Sequence, residues 1–136
     1  MVANLVGIIL IPGRVQSKFG TPEFERWRAC ASRAVLDQIE RPPLFPEQLL
    51  AVQLDIYYAY DGEITADNLA DHRIPRITAA AEAILIALSG LLYRRRNQIE
   101  RLVMRRMIRH PDELIAEYGA VWRAGGFCVK WDVCQG

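Results

Sequence analysis

Residues 73–107 read RIPRITAAAEAILIALSGLLYRRRNQIERLVMRRM, and how this stretch is parsed decides the fold. Ile77, Ala80, Ala81, Ile84, Leu85 and Leu88 recur three and four positions apart, the spacing of a helix that buries one face. Pro75 stands ahead of that run and Gly90 behind it. The order suits both residues: proline lacks only an N–H that the first turn leaves unpaired, and glycine tolerates a left-handed closing geometry. The arginine-loaded segment after Gly90 is then free to turn back beside the start of the helix.

Upstream, residues 49–60 alternate. Val52, Leu54, Ile56, Tyr58 and Tyr60 fall on one side and Gln53, Asp55 and Tyr57 on the other, which predicts a strand with one buried face. Between this strand and the helix, YDGEITADNLADH is rich in turn formers and acids and reads as an exposed loop. Earlier still, the apolar run at residues 5–11 predicts a buried first strand, and residues 14–20 a mostly polar loop. Thr21-Pro22-Glu23 opens a helix with a capping hydroxyl, a first-turn proline and an acid facing the positive end of the dipole. Phe24, Trp27, Ala31, Ala34 and Val35 form its apolar stripe, and it stops before Pro42-Pro43.

Downstream, residues 98–109 are ambiguous. Ile99, Leu102, Val103 and Met107 fit a helix at least as well as a strand, and propensity favours the helix. Pro111-Asp112 starts a further helix with Leu114, Ile115, Tyr118, Val121 and Trp122 on its apolar side, ending at Gly125-Gly126. Phe127, Val129, Trp131 and Val133 alternate with Cys128, Lys130 and Asp132 as a last strand. The 136 residues, 51% hydrophobic and 24% charged, suit one globular domain over 1–136 rather than a disordered chain.

A net charge of +1 conceals an acidic stretch at residues 55–71 and a strongly basic one at 94–109. Cys30, Cys128 and Cys134 have no C-x-x-C spacing and no adjacent histidines to complete a zinc site, which fits a reduced cytoplasmic setting. The run at residues 5–11 is too short to span a bilayer, so no membrane partner is expected. His72 and His110 read as surface residues, and Tyr57, Tyr58 and the three tryptophans as core or interface residues.

The order strand, helix, strand, loop, helix, arginine-rich segment, helix and glycine-led strand resembles the RusA family of Holliday-junction resolvases. These are small homodimeric endonucleases that cut four-way DNA with magnesium. The family pattern has a proline lead-in, D-x-D-N-L-x-K opening a helix, a closing D-A-L-x-G, and D-D-x-Q-I leading into a strand. Here the corresponding residues are Arg73-Ile74-Pro75, then RITAAAE, then Ile86-Ala87-Leu88-Ser89-Gly90, then Arg95-Arg96-Asn97-Gln98-Ile99, without a gap. The resemblance implies an α/β fold, a small mixed sheet packed against helices. It also implies that residues 98–109 form a strand beside residues 49–60, against their propensity.

The chemistry departs from the pattern. Arg76 and Thr78 stand where the family has aspartates, Glu82 where it has lysine, and Arg95 and Arg96 where it has the later acids. Magnesium requires hard oxygen ligands, which arginine cannot supply. A guanidinium about 5 Å from a divalent ion costs roughly 6 to 7 kcal/mol at an effective dielectric of about 20. No catalytic residue is expected in this register, and no cofactor. Asp67-Asn68-Leu69 offers a second register in which Glu63, Asp67 and Asp71 form a displaced magnesium site in an active nuclease. The bland alternative is an acidic, solvated loop.

Three functional expectations follow. The first is a catalytically degenerate homodimer that binds branched or duplex DNA, four-way junctions included, through Arg76, Arg94, Arg95, Arg96, Arg101, Arg105, Arg106 and Arg109. The second is a regulator that binds a protein partner. The third is the magnesium nuclease using the displaced acids.

Overall fold

The alternation at the centre of the chain becomes the middle of a sheet. In the computed structural model, which describes residues 7–134, the chain runs β1 (Gly7–Pro12), α1 (Pro22–Leu36), β2 (Leu50–Ala59), α2 (Ala66–Asp71), α3 (Ile77–Leu88), β3 (Ile99–Arg109), α4 (Pro111–Tyr118) and β4 (Gly125–Val133). Single 3-10 turns occupy Arg96–Gln98 and Ala120–Trp122. The four strands form one mixed sheet in the order β1-β4-β2-β3. β4 is antiparallel to both β1 and β2, and β3 is parallel to β2. β1, β2 and β3 therefore share one direction, and their carboxyl ends collect at one edge of the sheet.

One face of the sheet carries the core. Leu50, Val52, Leu54, Ile56 and Tyr58 of β2 are buried together with Ile9, Ile11, Phe127 and Val129 of the neighbouring strands. Phe24, Trp27, Ala31 and Val35 of α1 and Ala80, Ala81, Ile84, Leu85 and Leu88 of α3 complete it. The alanines of α3 let that helix lie close, and each larger aliphatic chain removed from water contributes about 1.5–3 kcal/mol. The opposite face is covered at one end only, where Tyr57 meets Tyr118 and Trp122 at ring-centroid distances of 5.5 and 6.0 Å.

Residues 98–109 are a strand over nearly their whole length: β3 lies in register with β2, Leu54 opposite Met104 and Asp55 opposite Arg105. Pairing along ten residues of β2 overrides the helical propensity. Other expectations need correction. Residues 60–72 are not all loop, because the Thr65 hydroxyl accepts from the Asn68 N–H at 3.2 Å and starts α2, which buries Leu69. The helix from Pro111 ends at Tyr118, since Gly119 at φ 107 takes a conformation no helix continues through.

Val121 consequently lies outside the helix and is exposed. Pro75 sits one residue ahead of the N-cap Arg76, outside the first turn. The first strand is half-buried, with Ile9 and Ile11 inward and Ile8 and Leu10 outward, and Leu5 and Val6 of the expected strand lie outside the described residues. Both histidines are exposed, and the His110 ring accepts from the Asp112 N–H at 3.1 Å as the cap of α4.

Gly125 opens β4 at φ 112, and a β-carbon there would strike the Tyr57 carbonyl oxygen of the neighbouring strand. Gly125→Ala combines left-handed strain with a backbone clash and is expected to cost about 2–4 kcal/mol. Urea denaturation measures this; an unchanged midpoint contradicts the packing described.

Candidate nucleic-acid interface

The arginine loop between α3 and β3 is held from below by Gln98. Its side-chain oxygen accepts from the backbone N–H groups of Arg94 and Arg95, both at 2.8 Å, and its amide donates to the carbonyls of Phe45 at 2.8 Å and Gln48 at 3.0 Å. Four main-chain groups are satisfied by one buried amide. The side chains of Arg94 and Arg95 are exposed and make no hydrogen bond or ion pair among the described residues. Arg96 instead folds onto α3, where its Nη1 donates to both oxygens of Glu82 at 2.9 and 2.7 Å. Both side chains are about half exposed, so the pair adds little stability and chiefly fixes position.

Gln98→Ala strands four backbone groups and is expected to destabilise by roughly 2–4 kcal/mol. Hydrogen exchange at the Arg94 and Arg95 amides should accelerate in the same variant, and unaltered exchange there would remove Gln98 as the anchor.

The positions that the family resemblance groups together are not all brought together. Arg76 is six residues before Glu82, about 9 Å along the helix axis. It caps α3 by position without a side-chain hydrogen bond. The segment that turns back to the helix start is the far end of β3: Arg106 Nη1 donates to the Pro75 carbonyl at 2.6 Å, and Arg76, Ile77 and Arg106 line a cavity of ≈ 440 Å³. Thr78 and Glu82 share the exposed side of α3. Glu82 is the only carboxylate among Arg76, Thr78, Glu82, Arg95 and Arg96, and Arg96 occupies it. These residues do not fit a magnesium ion.

Arg101, Arg105 and Arg109 alternate onto the open face of the sheet, away from Arg106. Arg105 forks onto Asp55 across the β2–β3 pair, Nε to Oδ1 at 2.8 Å and Nη2 to Oδ2 at 2.9 Å. Gln53 donates to the same carboxylate at 3.1 and 3.2 Å, and Lys130 Nζ lies 3.6 Å away on β4. Arg109 donates to the carbonyl of Ile108 at 3.1 Å. Of the eight expected contact arginines, Arg96, Arg105, Arg106 and Arg109 thus have partners within the chain, while Arg76, Arg94, Arg95 and Arg101 have none among the described residues.

Burial raises the Asp55 carboxyl, but Arg105, Gln53 and Lys130 outweigh it and hold the pKa below the ordinary carboxylate value. A carboxyl depressed by folding stabilises above its unfolded pKa and loses that contribution as pH falls through the folded value. Asp55→Asn is therefore expected to cost about 1–3 kcal/mol at neutral pH. The gap to wild type should close in acid, as denaturation midpoints across pH would report. A constant gap contradicts the ion pair.

The acids of the second register are exposed. Asp67 and Asp71 lie on α2, Glu63 lies in the loop before it, and Asn68 is used to donate to the Glu63 carbonyl at 2.9 Å. Among the described residues no three His, Cys, Asp or Glu side chains are grouped so as to hold a metal ion.

A cleft at the carboxyl edge of the sheet went unread in the sequence. Of ≈ 730 Å³, it lies between the loop after β1 and the linker before α3, and its walls include Arg14, Lys18, Thr21, His72, Arg73 and Pro75. Arg14 Nη2 donates to the carbonyls of His72 at 2.9 Å and Arg73 at 3.0 Å, and its guanidinium lies 5.6 Å from the Tyr58 ring centroid. Arg14 and Lys18 had only their charge to mark them, in a loop read as merely polar.

Among the described residues no helix is long and apolar enough to cross a membrane. No protein-family model matches the chain, and comparison with curated proteins and with solved structures gives no match either.

Proposed function

We propose that this chain is a RusA-like protein that has lost its cutting chemistry and binds branched or duplex DNA as a cytoplasmic homodimer. The observation that carries the reading is the Glu82–Arg96 pair. At the two positions where the resemblance calls for a lysine and an acid, this chain has an acid and an arginine, with one guanidinium nitrogen donating to both carboxylate oxygens. On this reading the frame of the family motif is kept with its signs exchanged. The parallel pairing of β2 and β3, which the resemblance implied against propensity, supports the same frame.

Replacing carboxylates by arginine removes the ligands of a metal-assisted cut and also removes repulsion from phosphate. Arg76, Arg94, Arg95 and Arg101 are the arginines available for phosphate contact.

The test is fluorescence anisotropy with labelled four-way junctions and duplexes. With the four arginines of each protomer engaged, eight phosphate contacts per dimer predict that affinity falls roughly 10,000-fold between about 50 and 200 mM salt. Replacing Arg94 and Arg95 together by alanine should weaken binding and flatten the salt dependence by about four contacts, two from each protomer. Junctions should stay intact with magnesium or manganese. Absence of binding at low salt overturns the reading, and metal-dependent cutting overturns the loss of catalysis.

A second reading, a protein-binding regulator on the same dimeric fold, is favoured by one observation. The open sheet face exposes Ile8, Leu10 and Val103 while Arg105 is neutralised internally. A partner that remains bound after nuclease treatment would select it.

A further inference from the structure

We propose that the cleft between residues 14–18 and 72–75 is a phosphate-binding site. On the DNA-binding reading, on which this assignment of the ligand rests, it seats the sugar-phosphate backbone of one strand. Three cationic side chains, Arg14, Lys18 and Arg73, line a cavity of ≈ 730 Å³. Glu23 is its one acidic lining residue, and Glu23 lies 3.7 Å from Arg26 on α1. The cleft sits at the carboxyl ends of the co-directional strands, where open α/β sheets leave a crevice for ligands.

The geometry of Arg73 is the stronger argument. Among the described residues it is the non-glycine residue with positive φ, at 55°, a conformation that glycine adopts at lower cost. Two features hold it there. Its N–H donates to the Ala70 carbonyl at 3.0 Å, and Arg14 clamps the carbonyls of His72 and Arg73. A strained backbone braced by a second arginine, with a cation projecting from a turn that would suit glycine, points to a task for the Arg73 side chain rather than for its backbone. Arg14 is here a positioning residue; Arg73 and Lys18, both exposed, are the contacts available to a ligand.

Pro75 extends the cleft towards the start of α3, because its carbonyl holds Arg106 beside Arg76. Cationic groups therefore continue from Lys18 to Arg76 along one edge, a run that suits a chain of phosphates better than a single small anion.

The test uses Arg73→Gly, which removes the cation while relieving the strained turn, together with Lys18→Ala. Arg41→Ala, an exposed charge in the connection to the opposite edge of the sheet, is the control. Melting temperatures should stay within about 2 °C of wild type for all three. Affinity for a labelled duplex at low salt should fall about three- to tenfold for Arg73→Gly and for Lys18→Ala, and by less than about twofold for Arg41→Ala. In a second arm, pyrophosphate should raise the melting temperature of wild type but not of Arg73→Gly.

Duplex binding that both cleft variants leave unchanged overturns the cleft and leaves the DNA-binding reading standing. If wild type binds no duplex yet pyrophosphate stabilises it through Arg73, the cleft stands with a free phosphate compound as its ligand and the DNA reading fails. No response to duplex or pyrophosphate overturns both.

Discussion

The position of the arginines depends on one buried amide. Gln98 is 6% exposed and must satisfy two main-chain N–H groups and two carbonyls at once. Only a side chain with both a donor and an acceptor can do this; a glutamate would face two carbonyl oxygens without a proton to give, and a leucine would leave all four groups unpaired. The same amide joins two stretches distant in sequence, the connection from Phe45 to Gln48 and the arginine loop, immediately ahead of β3. Backbone bonds from Leu44 and Phe45 to Leu91 and Leu92 close the joint on its other side. The charge-bearing loop is thus an extension of the sheet, anchored where β3 begins.

What could be read from the sequence was whatever one element decides by itself. The alternation of β2 and β4 states which side chains face inward, and Thr21 with Pro22 states where α1 begins. The misjudged pieces are those in which two elements compete or cooperate. β3 has helix-forming side chains and becomes a strand because β2 offers it a parallel edge, a long-range fact that no local window contains. Only the family pattern, which brings a fold with it, pointed the other way. Gly119 was passed over because a single glycine inside an apolar-periodic run does not declare whether it will be tolerated. The acidic loop held a legible cap at Thr65, masked by the abundance of turn formers around it.

The candidate site was legible in kind but not in layout. A count of arginines does not say which are already matched, and Asp55 shows why: its partner, Arg105, is fifty residues away, and the pairing follows from strand register. The cleft is harder still to foresee, since Arg14 and Arg73 are fifty-nine positions apart and meet only when the loop after β1 closes over the linker before α3. Sequence distance hid the cations that the fold assembles.

Charge on β3 also has a purely structural use, and it bears on how two chains could meet. β3 is an edge strand of eleven residues, and a long edge invites pairing with other chains unless charged side chains oppose it. Four arginines on that strand supply such opposition, so a dimer built by joining two β3 edges would set guanidiniums against each other. The other half of the open face differs in character: β1 is short, and it presents Ile8, 56% exposed, and Leu10, 39% exposed, to solvent. A dimer of the kind proposed is better served by that apolar half. Such an arrangement would leave β3, the start of α3 and the cleft beside it uncovered, and would let the two basic edges of the pair face outward to phosphate.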